Sequence, residues 1–155
     1  MTAENPRLKF YEIIKTFKEQ IVTLLGDSTL SIDPEDRKKH IRKFNNIYDK
    51  LMLVKSTNSR LVIEVFYRDI FIPFGEQILG QNDEFFLKNR HQLLGEDIKN
   101  DMGLGDLIEG ISNIWPQLDS NNKKTIWRYV MALCKVADIV MGEGRFDQLK
   151  ASTSK

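Results

Sequence analysis

Apolar residues recur at spacings of three and four along most of this chain, and that period predicts helices. From Pro6 to Leu25 the stripe reads Phe10, Ile13, Ile14, Phe17, Ile21, Leu24 and Leu25. Pro6 suits a first helical turn, and Gly26 stands where a left-handed cap belongs. A second start follows at Asp33, which can cap, with Pro34 in the first position and Glu35 and Asp36 toward the positive end of the helix dipole. Its stripe is Ile41, Phe44, Ile47, Tyr48, Leu51 and Val54. The polar cluster Ser56-Thr57-Asn58-Ser59 breaks it, with Ser59 placed to cap the next element.

The stretch from Arg60 to Leu79 departs from this one-sided pattern. Between Leu61 and Phe74 only Glu64, Arg68 and Asp69 interrupt large apolar residues, so the segment must be covered on most sides. It falls short of the ~20 residues that cross a bilayer, which favours a buried core segment. Its β-branched and aromatic residues would also suit a strand. No other stretch offers a strand partner, and an unpaired strand leaves its backbone polar groups unsatisfied. A central helix is therefore expected, ended or kinked at Pro73, with Phe74 to Leu79 as a second short piece before Gly80.

Beyond it, Asp83 to Leu94 reads as a shorter helix bearing Phe85 and Phe86, and Gly95 to Gly105 as a loop. Leu107, Ile108, Ile111 and Ile114 give Leu104–Ile114 a helical face that Trp115-Pro116 ends. Asp119 or Ser120 caps the last long helix, whose apolar set is Ile126, Trp127, Val130, Met131, Leu133, Cys134, Ala137, Val140 and Met141. Gly142 stops that helix. The expected organisation is one all-α bundle of five to seven helices over 1–142, around the buried central helix. Residues 143–155 form a frayed tail, in which Phe146 and Leu149 could dock.

Composition narrows the class further. Over 155 residues, 41% apolar and 29% charged side chains describe a globular domain. The 23 basic and 22 acidic residues leave a formal charge of +1, so no global field draws nucleic acid or membrane. The single cysteine, Cys134, excludes a disulfide framework and a multi-thiolate zinc site. With no basic-then-apolar leader and no long apolar run, a cytoplasmic location without a membrane partner is expected.

Catalytic and metal chemistry find little support. His40 and His91 stand far apart without metal-site spacing and read as surface histidines. Cys134 falls on an apolar helix face and reads as a small hydrophobe. In the acidic loop Glu96–Gly103, a register that puts Gly103 at the turn of a calcium loop makes Ile98 and Met102 ligands, which they cannot be. Gly103-Leu104-Gly105 lacks the rest of a phosphate-binding motif. The pairs Asp83-Glu84 and Glu96-Asp97 suit capping and solvation. No cofactor, metal or small-molecule substrate is expected, and the chain reads as a non-enzyme.

One run does stand out. Arg37, Lys38, Lys39, Arg42 and Lys43 put five cations into seven helical positions, with Lys38/Arg42 and Lys39/Lys43 four apart. Lys123, Lys124, Arg128 and Lys135 form a thinner group on the last helix, and the two could make one patch. Phosphate backbone, an acidic protein surface or the chain's own carboxylates would each satisfy it, and a solvated outer face accounts for it as well.

The stretch Asn113-Ile114-Trp115-Pro116-Gln117-Leu118-Asp119-Ser120-Asn121-Asn122-Lys123-Lys124-Thr125-Ile126-Trp127-Arg128-Tyr129-Val130, with Leu133 after it, resembles uncharacterised small helical proteins of large nucleocytoplasmic DNA viruses. The resemblance implies no activity, only a setting: a viral cytoplasmic factory or a virion. The expectation is a protein-interaction or scaffolding module that engages an acidic surface or a second copy of itself, using Arg37, Lys38, Lys39, Arg42, Lys43, Lys124 and Arg128. The alternative is a nucleic-acid-binding protein that uses the same basic helix.

Overall fold

A computed structural model describes residues 5–26, 32–82 and 104–153. The elements are α1 (Pro6–Leu25), α2 (Pro34–Thr57), α3 (Leu61–Phe66), a π turn (Tyr67–Phe71) and α4 (Ile72–Leu79). They continue with α5 (Leu104–Ile114), a 3-10 turn (Trp115–Gln117), α6 (Ser120–Met141) and α7 (Arg145–Thr153). Every regular element among the described residues is helical, and the chain is an all-α bundle. The Asp83–Leu94 helix and the loop after it lie outside the described residues.

The helix starts follow local chemistry. Asn5 Oδ1 accepts from the Arg7 N–H at 3.0 Å, and Asp119 Oδ1 accepts from the Asn122 N–H at 2.8 Å. Asp33 caps α2 more loosely, at 3.4 Å from the Glu35 nitrogen. The start of α3 is capped by Asn58 rather than Ser59: Asn58 Oδ1 accepts from the N–H groups of both Arg60 and Leu61. Ser59 instead offers its backbone carbonyl to the Tyr11 hydroxyl at 2.5 Å. Gly26 does not take a left-handed conformation either; at φ −78° it stays helical, and its N–H reaches back to Val22 and Thr23.

Pro73 does not end the central segment. A proline inside an α-helix loses a bond to the residue four back and crowds that carbonyl. Here the turn ahead of it is π, and Ile72 donates to Tyr67, five residues back. The wider turn carries the backbone through the proline from α3 to α4 as one continuous run. Val62, Ile63, Val65, Phe66, Tyr67, Ile70 and Phe71 are all buried, so the segment is the buried central helix that its composition requires.

The packing order follows from side-chain pairs. Tyr11 near the start of α1 lies beside Ser59 and the Lys55 ammonium, and Lys18 sits 4.8 Å above the Tyr48 ring, so α1 and α2 run antiparallel. Phe17 stacks on Tyr129 at 5.1 Å, early α1 faces Ala132 and late α1 faces Asn122. Thus α6 is also antiparallel to α1, and α2 and α6 begin at the same end of the bundle. Helix α5 packs on α2 with Gly110 against the Phe44 ring, while Trp115 meets Trp127 edge-on at 5.8 Å. Phe10 of α1 meets Phe66 at 5.6 Å, and α6 covers the central segment along its length.

Residues 145–153 form a helix where the sequence reading had a frayed tail. Phe146 is buried against Phe71, and Leu149 packs on α4 at Gly75. The two apolar residues that could dock do so, and they hold the helix against the bundle.

Two side chains test this packing. Trp127 is 2% exposed, and Trp127→Ala should lower the unfolding free energy by about 3–5 kcal/mol. A Cβ on Gly110 would sit 3.0 Å from Phe44 Cζ, so Gly110→Ala should cost about 1–3 kcal/mol. Urea unfolding measures both, and a Gly110 variant as stable as the parent would show that the Phe44 ring has room to move.

Candidate functional site

The basic run occupies the first turns of α2. Lys38, Lys39 and Arg42 are exposed, whereas Arg37 and Lys43 are half-buried. Arg37 turns back along the chain, its Nη2 donating to the Ile32 carbonyl at 3.3 Å, so part of its hydrogen-bonding capacity is used in starting the helix. Lys39, Arg42 and Lys43 share a shallow trough with Asn46, Ile47 and Lys50, and no carboxylate lines it. Lys50 was not singled out from sequence, because it lies seven residues past the dense run; helical spacing places it two turns beyond Lys43. His40 is half-buried among them. Desolvation lowers its pKa, with Asp36 opposing and Lys43 assisting.

The second basic group lies on α6, where Lys124 and Arg128 are exposed. It shares an end of the bundle with the α2 group because both helices run antiparallel to α1. The two groups do not share a groove. Arg128 lines a depression between α1 and α6 together with Lys9, Glu12 and Tyr129, while the α2 trough involves α2 alone. The result is two cationic ridges flanking α1 rather than one patch. Among the described residues, Lys38, Lys39, Arg42, Lys43, Lys124 and Arg128 form no ion pair.

A second polar cluster was not expected. Asp138 is only 6% exposed although it belongs to the inward face of α6. Its Oδ1 accepts from the Arg145 N–H at 3.0 Å and its Oδ2 from the Phe146 N–H at 3.3 Å, so a carboxylate of one helix caps the next. Tyr67, first residue of the π turn, donates to Glu143 Oε2 at 2.6 Å, and Arg145 Nε reaches the same oxygen at 2.7 Å. Burial, and then Glu143, push the Tyr67 phenol well above its ordinary range. The hydrogen bonds from Tyr67 and Arg145 hold the Glu143 carboxyl below its ordinary value. The signal in sequence was an acid at a core position of an apolar stripe, Ala137-Asp138 between Cys134 and Met141.

Each of these donors is directed at another member of the cluster, and the arrangement ties α7 to α6 and the π turn. Cys134 is fully buried, and burial raises its thiol pKa far above the ordinary range, opposite to what a nucleophile needs. Among the described residues no three potential ligands converge as a metal site, and no helix is long and apolar enough to cross a membrane. His91, the pairs Asp83-Glu84 and Glu96-Asp97, and Gly103 lie outside the described residues. No family model matches the chain, and no curated protein or solved structure matches it.

Two measurements follow. Cys134 should react slowly with a thiol reagent in the folded protein and rapidly once unfolded; fast labelling of the native state would contradict its burial. Glu143 has a folded pKa below its unfolded value of about 4.5, so its stabilisation is present above that pH and lost as pH falls through the lower folded value. Glu143→Gln should therefore remove part of the acid-induced loss of stability. Identical acid limbs for variant and parent would show that the contact contributes nothing.

Proposed function

We propose that this chain is a non-enzymatic interaction module that docks acidic protein surfaces through the outer face of α2. Lys38, Lys39, Arg42 and Lys43 make the primary contact, while Lys124 and Arg128 offer a second ridge at the same end. One observation carries the reading: these cations are collected in the early turns of two helices, on a chain of net charge +1, without ion pairs among the described residues. Like charges four apart repel by a few tenths of a kcal/mol per pair. A partner's carboxylates relieve that repulsion.

Protein is favoured over nucleic acid on three grounds. The two ridges are separated by α1, so they form no continuous track for a phosphate backbone. Tyr129 is stacked on Phe17 and Tyr48 lies under Lys18, so neither ring offers a free platform for bases. The segment after α2 is buried in the core and supplies no recognition helix. A viral factory or virion, the setting implied by the Asn113–Leu133 resemblance, belongs to the same proposal.

The test replaces Lys38, Lys39, Arg42 and Lys43 with Gln together. Affinity capture from the native cell should lose its protein partner, while duplex DNA binds weakly before and after the change. Tight duplex binding with a log–log salt slope near −0.9 per neutralised phosphate, removed by the four substitutions, would overturn the reading in favour of nucleic acid.

A further inference from the structure

From the geometry at the α6–α7 junction we infer that α7 is an exchangeable arm, and that a second copy of this chain is its alternative host. The arm folds back on its own bundle through Gly142, Glu143 and Gly144. Both glycines are left-handed, at φ 72° and φ 67°. A Cβ at either position would meet no atom within 4 Å, so backbone conformation alone, not crowding, reserves these positions for glycine. If both residues become helical, α6 runs on into α7 and the arm projects away from its seat.

The vacated seat is chemically demanding. It presents the Phe71 ring, the bare backbone of Gly75 and the buried carboxylate of Asp138, which loses two N–H donors when the arm leaves. Its occupant must be a helix start that donates two backbone N–H groups, with an aromatic residue at its second position and a leucine three further on. The α7 of a second copy meets each requirement, and reciprocal exchange closes a two-fold dimer.

Seated contacts are the same within one chain and between two, so the equilibrium is set by the junction. The hinge is only three residues long, and short hinges favour exchange. The Tyr67–Glu143 hydrogen bond opposes it, because Glu143 lies in the segment that straightens. It acts as a latch on the single-chain form.

Sedimentation across a range of protein concentrations tests the exchange. Gly142→Ala with Gly144→Ala penalises only the folded-back form, by about tenfold for each left-handed alanine, and should shift the chain to a dimer. Tyr67→Phe leaves both glycines in place and should also raise the dimer fraction, which keeps the test decisive if the double alanine variant does not fold. Adding Phe146→Ala and Leu149→Ala to either variant should return it to monomer while the circular dichroism stays helical. A chain that remains monomeric at every concentration in both variants would refute the exchange. A dimer that survives the loss of Phe146 and Leu149 would also refute it, because association would then use another surface.

Discussion

The fold depends on enclosing one segment that has almost no polar side. Between Val62 and Phe71 all residues but Glu64, Arg68 and Asp69 are buried, and the buried ones spread over most of the helix circumference, so a single neighbour cannot shelter them. Each surrounding element covers part of that surface. Helix α1 brings Phe10 to Phe66, α2 flanks α3, α6 runs along the whole segment, and α7 closes over Phe71. Apolar burial at roughly 25 cal/mol per Å² makes that enclosure the main source of cohesion. The capping residues and surface charges then decide where helices start and what the outside presents.

Periodicity made most of this architecture legible in the sequence. The bounds of α1 and α2, the buried faces of α5 and α6, and a cap at Asp119 or Ser120 all followed from spacing and from residues with one strong local preference. What escaped shares a cause, since each feature depends on a contact between distant residues. Ser59 and Asn58 are both competent caps, and Ser59 was already engaged through its carbonyl by Tyr11, 48 positions away. The glycines at 26 and 142 look alike in sequence, yet only Gly142 is left-handed, because the chain must turn there to bring α7 onto α4. Asp138 reads as an interruption of a stripe until Arg145 and Phe146 fold back to it.

The basic site was legible as a list of residues but not as a shape. Helical spacing placed Lys38, Lys39, Arg42 and Lys43 on one helix, while the antiparallel course of α1 decided that Lys124 and Arg128 share their end. The same course keeps the two ridges apart. Arg37, counted among the site residues from sequence, is partly turned toward the start of its own helix. The exposed cationic surface is therefore narrower than the charge run, and it includes Lys50 beyond it.

The π turn at Tyr67–Phe71 has a consequence for the chain's history of change. A π turn is an α-helix with one residue too many, and successive α-helical residues are about 100° apart. Side chains before and after it are thus out of phase by that angle. Here the earlier half meets α1, α2 and α6, and the later half meets α6 and α7. Removing one residue would restore regular hydrogen bonding, yet it would also turn one half away from its neighbours. The irregularity is a phase correction between two sets of partners, and insertions or deletions in this helix are tolerable only in combinations that preserve it.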